Sequence, residues 1–266
     1  MAIKIAGWNG KEGLAQALDM PLMVKEIERL DADVVVISDA YSLDNTKHGS
    51  RPDVLDEARA AFESLGYARH EVEYGPRDKW HHDRNMVVLN RLDLIAVSGL
   101  QLATRKTLDL RVCDPHTKAP RRIIPYHGDD RSAETRVKQI EAFLDNHEEG
   151  LPTVIGGDFN DTHHEDRLSR IISSRTMRAV AHAIPAVGPF GRARSIATRL
   201  TGTGIGTSVA LLEGRGFRDA DPTHAATFLG LQLDRAMLSP ELHVADFQLG
   251  NRASSDHVPT LVTIES

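Results

Sequence analysis

The sequence contains few of the features that mark secreted or membrane proteins. Cys113 is the single cysteine, so no internal disulfide can form, which fits a reducing compartment. No apolar run approaches the length of a membrane span, and the N-terminus lacks the apolar stretch of a signal peptide. We therefore expect a soluble, cytoplasmic protein without a transmembrane segment.

Aromatic residues and net positive charge are also scarce. Aromatics make up 5% of the chain, so the composition gives no indication of a base-stacking platform. The formal net charge is -6, so the chain as a whole would not coat a polyanion, although a local patch could still hold one.

One interval, in contrast, lacks acids. Between Arg167 and Leu212 there are seven arginines and no Asp or Glu. We interpret this stretch as an Arg-rich helical insertion, at about 163–212, that meets an anionic substrate through Arg192 and Arg194. The alternative interpretation is a solvated helical excursion with a few unpaired arginines.

Length and patterning predict a single domain, residues 1–266, that is long enough to bury its own core. Runs rich in Val and Ile with turn residues at their ends indicate strands. These are Ile3–Trp8, Asp33–Ile37, Met86–Leu89, Leu92–Val97, Arg122–Tyr126, Thr153–Ile155, Leu233–Leu238, Leu242–Phe247 and Thr260–Ile264. Helical periodicity indicates helices at Met20–Leu30, Val54–Leu65 and Ala133–His147.

Two pairs of neighbouring strands look like hairpins, within Met86–Val97 and within Leu233–Phe247. Hairpins mixed with strand–helix alternation favour sheets with helices packed outside over a simple doubly wound parallel sheet.

Polar side chains that suit metal binding or acid–base chemistry stand at the ends of several predicted strands. They occur in the segments Trp8-Asn9, Ser38-Asp39, Gly157-Asp158-Phe159-Asn160, Leu233-Asp234-Arg235 and Ser255-Asp256-His257-Val258-Pro259. Each segment alone is also typical of an ordinary turn or a helix cap. Their combination and their order along the chain are more specific than any one of them.

In that order the segments resemble the endonuclease/exonuclease/phosphatase superfamily, which includes apurinic endonucleases, pancreatic-type deoxyribonucleases, neutral sphingomyelinases and inositol-polyphosphate phosphatases. The family pattern is Asn after the first strand, Glu after the second, His after a middle strand, then GDFN, a later Asp, and SDH near the C-terminus. The matching positions here are Asn9, Asp39, His127, Asp158 with Asn160, Asp234, and Asp256 with His257. The resemblance spans essentially the whole chain and implies an α/β fold: a four-layer α/β/β/α sandwich with two central mixed β-sheets.

The resemblance also implies divalent-metal-dependent hydrolysis of phosphoester bonds. Mg²⁺ would be the cation, with Mn²⁺ as an alternative, held by Asn9, Asp39 and Asp256. Asp158 would orient or deprotonate the attacking water, and Asn160 would hydrogen-bond the phosphate in the transition state.

The remaining family positions imply contacts to the phosphoryl group. Asp234 would hold His257 in one tautomer, so that this histidine acts as a cation or general acid. His127 would contact another phosphate oxygen. Arg84 and Asn85 precede a strand where the family often contacts substrate, and we include them as substrate-binding residues.

Three positions depart from the family pattern. Lys11 stands where some nucleases of the family carry another acid near the Asn. Asp39 stands where the family has Glu, and its side chain is one methylene shorter, which we expect to weaken metal affinity without removing the site. His127 lies in the segment PYHGDD rather than in Asn-Thr-His-Leu. It could therefore be a structural histidine satisfied by Asp129 or Asp130.

The sequence leaves the substrate open. A nuclease acting on nucleic acid is the first expectation, because the arginine-rich interval could follow a phosphate backbone. A lipid headgroup or a small metabolite is the alternative, since the apolar segment AHAIPAVGPFG is flanked by arginines. A binding module that has lost catalysis is a further alternative, supported by Asp39. The oligomeric state is not indicated.

Overall fold

The structure is a computed structural model, and it describes residues 2–10, 20–41, 52–73, 84–129, 132–162, 204–228, 231–253 and 255–265. In chain order the elements are β1 (Ile3–Asn9), α1 (Met20–Leu30), β2 (Val34–Tyr41), α2 (Pro52–Ser64), β3 (Ala68–Glu73), β4 (Arg84–Asn90), β5 (Leu94–Leu102), β6 (Arg105–Cys113), β7 (Pro120–His127), α3 (Ala133–Asp145), β8 (Thr153–Asp158), β9 (Asp161–Thr162), β10 (Gly204–Ile205), α4 (Thr207–Glu213), β11 (Arg218–Asp219), β12 (Asp234–Leu238), β13 (His243–Leu249) and β14 (Thr260–Glu265).

These strands form two six-stranded sheets and one short two-stranded ladder. The first sheet has the order β13-β14-β1-β2-β4-β3, and the second has the order β11-β12-β8-β7-β6-β5. Each sheet contains one parallel pair, β1 with β2 and β7 with β8, while its other neighbours are antiparallel. The two predicted mixed sheets are therefore confirmed.

Alternation along the strands decides which layer each side chain faces. On β2, Val34 and Val36 lie between the two sheets, whereas Val35 and Ile37 pack against helices outside the first sheet. Helices α1 and α2 cover that outer face with Met23, Ile27 and Phe62. Helices α3 and α4 cover the outer face of the second sheet with Ile140, Phe143, Val209 and Leu212. The layers follow the order of the predicted α/β/β/α sandwich.

Both predicted hairpins are wrong. Strand β4 lies in the first sheet and β5 in the second, and likewise β12 lies in the second sheet and β13 in the first. The connections 91–93 and 239–242 carry the chain from one sheet to the other, which requires a span of only about 10 Å. A short turn between two strands suits a hairpin and such a crossing equally well, so the hydrophobic pattern could not separate them.

Most of the predicted arginine-rich insertion, residues 163–203, lies outside the described residues. The end of that stretch is part of the sandwich, because Val209 and Leu212 of α4 join the core formed with α3 and the second sheet. Among the described helices, none combines the length and the apolar character that crossing a bilayer requires.

Candidate active site

Strand direction brings predicted site residues from both sheets to one end of the sandwich. The parallel strands β7 and β8 end side by side at His127 and Asp158. Strand β12 is antiparallel to β8, so its first residue, Asp234, lies opposite Asp158. In the first sheet β1 ends at Asn9, and the antiparallel strand β14 starts beside it, so the loop before β14 returns to the same place. We call this end of the molecule the catalytic edge.

Two glycines of the facing sheets lie close together at the catalytic edge. A Cβ on Gly7 of the first sheet would lie 3.5 Å from the backbone N of Gly157 in the second, which is van der Waals contact distance. Gly157 has a φ of +134°, and a Cβ there would collide with the Tyr126 carbonyl oxygen on the neighbouring strand β7, so a side chain does not fit. The two sheets are in contact here, and Asn9 on one sheet reaches Asp158 on the other.

Asp158 is 1% exposed and is held by two amide groups. The side-chain N–H of Asn9 donates to one carboxylate oxygen at 2.7 Å, and the backbone N–H of Asn160 donates to the other at 2.8 Å. Burial raises the pKa of Asp158, and the nearby imidazoles and the Asn9 amide oppose that increase only in part. A carboxylate with a raised pKa is a better proton acceptor, which suits the role expected of Asp158.

Asn160 follows Asp158 in an unusual backbone conformation. Its φ is 47°, in the left-handed region, and its side-chain N–H donates to the Gly128 carbonyl at 3.0 Å. The side chain is therefore fixed over the loop that follows His127.

Asp39 lies within a bulge of β2. The register between β2 and β4 shifts between Ile37 and Ala40, and Asp39 has a φ of 52°. Left-handed backbone at a residue with a side chain costs on the order of 1 kcal/mol, and such strain is concentrated at functional sites. The bulge leaves Asp39 7% exposed, with its carboxylate beside His127 at the end of β7.

His127 bridges two of these acids. Its Nδ1 lies 3.4 Å from a carboxylate oxygen of Asp39, and its Nε2 lies 3.7 Å from one of Asp158. Asp129 is one of the two acids considered as structural partners for His127. Its carboxylate accepts a hydrogen bond from the backbone N–H of Ser132 at 2.7 Å. Asp130 lies outside the described residues.

Asp234 and His257 form a buried hydrogen-bonded pair that joins the two sheets. The Asp234 carboxylate and the His257 Nδ1 are 2.7 Å apart, and the two residues are 0% and 6% exposed. Burial alone would lower the pKa of His257, but the Asp234 carboxylate, with help from Asp158 and Asp256, raises it to about 9. The ring is therefore a cation at neutral pH, and since Nδ1–H faces Asp234, the Nε2–H is the proton left to donate.

The loop that carries Asp256 and His257 is tied to the end of β1. The Ser255 hydroxyl donates to the Asn9 carbonyl at 2.6 Å and accepts from the backbone N–H of His257 at 3.1 Å. The indole N–H of the buried Trp8 donates to the His257 carbonyl at 3.3 Å. These hydrogen bonds fix the backbone of the loop that carries Asp256 and His257.

The donor set at the catalytic edge fits a hard divalent cation. The carboxylates of Asp39, Asp158, Asp234 and Asp256 face two imidazoles, so a negative charge remains even when both rings are protonated. Oxygen ligands of this type are those that Mg²⁺ and Mn²⁺ prefer.

One group of possible ligands combines these acids with a histidine. Asp158, Asp234 and His257 offer ligand atoms that lie within 4.8 Å of one another. The His257 Nδ1 is, however, already engaged with Asp234, so this group behaves as a hydrogen-bonded pair beside an acid.

The predicted substrate contacts lie at or beyond the limits of the described residues. Arg84 and Asn85 open β4 and pair with the end of β2, which places their backbone beside the bulge that carries Asp39. Their side chains are outside the described part of the structure, and Arg192 and Arg194 lie wholly outside it.

Sequence reasoning missed three residues that touch the site. The ring of Phe228 stacks on the imidazole of His257, the hydroxyl of Thr227 accepts from the backbone of Asp234, and Arg105 donates to the carbonyl of His127 at 3.0 Å. Thr227 and Phe228 stand shortly before the strand LDRAML, but a polar–aromatic pair in a loop has no spacing that would identify it as part of a site.

Comparisons with known proteins add a family and a set of similar folds. The endonuclease/exonuclease/phosphatase family profile matches residues 22–257. An endonuclease/exonuclease/phosphatase structure from Beutenbergia cavernae is 16% identical with a TM-score of 0.69, over 99% of this chain and 71% of that one. Truncated TDP2 of Caenorhabditis elegans is 14% identical with a TM-score of 0.59, over 100% and 98%.

A third similar structure is a mannosyl-6-phosphatase of Bacteroides thetaiotaomicron, 13% identical with a TM-score of 0.61, over 99% of this chain and 100% of that one. At these identities the structural matches establish the fold alone. No curated protein matches the chain by sequence.

Proposed function

Since the chain belongs to the endonuclease/exonuclease/phosphatase family of metal-dependent phosphoesterases, we propose that it hydrolyses phosphodiester bonds of nucleic acid at the catalytic edge. The observation that carries the proposal is the placement of Asp158, an acid with a raised pKa, beside the protonated pair of His257 with Asp234. A base and a cationic proton donor at one site are what phosphoester hydrolysis requires on either side of the phosphorus.

In this proposal the residues of the catalytic edge have distinct roles. Asp158 orients the attacking water and accepts its proton, while the Asn9 and Asn160 amides keep the carboxylate in place. His257 donates its Nε2–H to the phosphoryl group or the leaving oxygen, and Asp234 holds the ring in that tautomer.

A divalent cation, Mg²⁺ first and Mn²⁺ second, would be held by Asn9, Asp39 and Asp256. When bound, it would neutralise charge on the phosphoryl oxygens as a Lewis acid. His127, which lies between Asp39 and Asp158, would contact a further phosphate oxygen.

Nucleic acid is favoured as the substrate by where the arginine-rich interval is attached. Asp161, three residues beyond the end of β8, accepts from the backbone N–H groups of Gly206 and Ser208, each at 2.9 Å. Strands β9 and β10 pair there, so both ends of the intervening chain stand at the catalytic edge. The sequence between them carries the seven arginines, including Arg192 and Arg194, that would meet a polyanion.

A phosphatase or phosphodiesterase for a smaller molecule is the second candidate. It is favoured by the similarity to a mannosyl-6-phosphatase, whose chain is matched along its whole length. A lipid headgroup belongs to the same candidate, because the chemistry at phosphorus would be unchanged and only the surrounding loops would differ.

The test is hydrolysis of a supercoiled plasmid and of bis-(p-nitrophenyl) phosphate with Mg²⁺, Mn²⁺ or chelator, beside Asp158→Ala. Metal-dependent nicking that is lost in the variant would support the nuclease. Cleavage of the small ester alone would overturn the nuclease and support the second candidate. Absence of turnover of both diesters with either cation would overturn the nuclease and leave a phosphomonoesterase or a binding module.

A further inference from the structure

The Asp234–His257 pair depends on the relative position of two sheets between which the described strands form no direct pairing. Asp234 opens β12 in the second sheet, whereas His257 lies in the loop that leads into β14 in the first. Their hydrogen bond is nevertheless 2.7 Å long. A shift of one sheet against the other by about 1 Å would break it, since side-chain hydrogen bonds weaken steeply beyond about 3.2 Å.

Thr227 makes hydrogen bonds to both sides of this junction. Its hydroxyl oxygen accepts from the backbone N–H groups of Leu233 and Asp234, each at 3.0 Å. Its carbonyl oxygen accepts from the backbone N–H of Val258, the residue after His257, at 2.9 Å. Thr227 is 0% exposed, so water cannot replace these contacts.

Phe228 acts on the imidazole itself. Its ring lies 4.6 Å from the His257 ring with 28° between the planes, and the residue is 7% exposed. Phe228 is held in turn by Leu231, because each donates its backbone N–H to the carbonyl of the other, at 3.0 and 2.7 Å. The phenyl ring therefore fixes the plane in which the imidazole lies.

We propose that Thr227 and Phe228 are positioning residues that lock the Asp234–His257 pair, Thr227 by joining the two sheets and Phe228 by fixing the imidazole plane. The effect on hydrolysis rests on the proposed function, whereas the effect on the pair itself does not. Catalytic groups must be held to within about 0.5 Å of the productive geometry, so a loosened pair lowers kcat more than it changes KM.

The central variants are Thr227→Val, which keeps the shape but removes the acceptor of two N–H groups, and Thr227→Ser, which restores it. The matched control is Thr153→Val. Thr153 is also 0% exposed and uses its hydroxyl to donate to the Leu151 carbonyl at 2.7 Å, but it lies at the opposite end of β8. Phe228→Leu tests the ring separately and keeps the proposal testable if Thr227→Val does not fold.

Two readouts are measured on each folded variant. The first is kcat and KM for metal-dependent hydrolysis of bis-(p-nitrophenyl) phosphate. We expect kcat to fall by roughly 10- to 100-fold in Thr227→Val and about 10-fold in Phe228→Leu, with KM within about 3-fold of the parent. Thr227→Ser and Thr153→Val should stay near the parent in kcat. Equal losses in Thr227→Val and Thr153→Val would overturn the proposal, because they would indicate a general loss of stability.

The second readout does not require activity. It is the downfield imidazole N–H proton resonance of His257, assigned by its loss in His257→Gln. We expect this signal in the parent, Thr227→Ser and Thr153→Val, and its loss or broadening in Thr227→Val. In Phe228→Leu the imidazole C–H resonances should move because the stacked ring no longer shields them. If the parent shows no turnover, the function fails and these spectra still decide the proposal; unchanged spectra in both variants would overturn it.

Discussion

Buried acids have different hydrogen-bond partners in two regions of the sandwich. Towards the end away from the catalytic edge, Asp109 in the middle of β6 receives two N–H groups from Arg122 at 2.7 and 3.1 Å, and Asp114 beyond the end of β6 receives two from Arg121 at 2.9 and 3.1 Å. At the catalytic edge, Asp158 is held by amides.

On the proposed function, this difference in partners separates structural carboxylates from a reactive one. An arginine fork satisfies a carboxylate in charge and in geometry, so little is left for a ligand. Neutral amides orient a carboxylate while its charge stays available to a cation or a proton. The partner of a buried acid is therefore a better guide to its role than its burial alone.

The largest effect should come from removing the reactive charge. Asp158→Asn keeps the size of the side chain but removes the proton acceptor, so we expect kcat/KM to fall by about 1000-fold or more. Asp109→Asn, at the other end, should leave kcat/KM within about 2-fold of the parent. Steady-state hydrolysis checks both variants, and comparable losses in the two would break the distinction between the ends.

The same Asp109→Asn variant should lower the stability of the protein rather than its activity. Removing the charge leaves the Arg122 guanidinium, whose side chain is 2% exposed, without its ionic partner, so the free energy of unfolding should fall by about 3 kcal/mol. Glu148→Gln is the control, because the Arg111–Glu148 pair is exposed and should contribute less than about 1 kcal/mol. Urea unfolding measures both, and equal losses would contradict the prediction.

Asp114 should make the stability of the far end dependent on pH. Burial alone would raise its pKa, but the backbone N–H groups of the following turn and the Arg121 guanidinium lower it from 3.8 to about 2. Because the folded pKa lies below the unfolded one, the stabilisation is present above about pH 4 and is lost as the pH falls towards 2. The parent should exceed Asp114→Asn by about 2 kcal/mol at pH 6. A difference that stays constant down to pH 2.5 would refute this.

The smallest effect should come from lengthening an acid at the catalytic edge. Asp39→Glu restores the residue type of the family pattern and extends the carboxylate by one methylene, so the Mg²⁺ concentration for half-maximal activity should fall about 3-fold. A Mg²⁺ titration of activity measures this change, with Asp31→Glu, an exposed acid that pairs with Arg91, as the control. An unchanged or higher Mg²⁺ requirement would show that the shorter side chain is not what limits binding.

Sequence patterns predicted sheets with helices packed outside, and the resemblance to the family implied the four layers and the residues that lie at the catalytic edge. The continuous apolar run Val34–Ile37 and the GDFN and SDH segments are visible in the sequence alone, whereas the layer that each valine faces is visible only in the fold. Strand β3 was missed because charged residues such as Arg69 and Glu71 interrupt its apolar pattern. The bulge at Asp39 was not predicted, since left-handed backbone there depends on its tertiary surroundings.

The predicted hairpins were wrong for a related reason. Which strands pair depends on how the two sheets pack, and the sequence of the connecting turn does not determine it. Thr227 and Phe228 were missed because they act on residues 6 to 31 positions away in the chain, and contacts at such separations leave no fixed spacing. Local signals thus indicate the candidate reacting groups, while the residues that contact and position them become visible only in the fold.

The pairing of β9 with β10, which Asp161 stabilises, also affects how much the connection between these strands can vary in length. Two chain segments that are already side by side can be joined by a connection of almost any length, since each doubling of a flexible connection adds only about 0.6 kcal/mol to its closure. On the proposed function, changes in the length or sequence of the connection between residues 162 and 204 would alter substrate preference, while the groups that act on phosphorus keep their geometry.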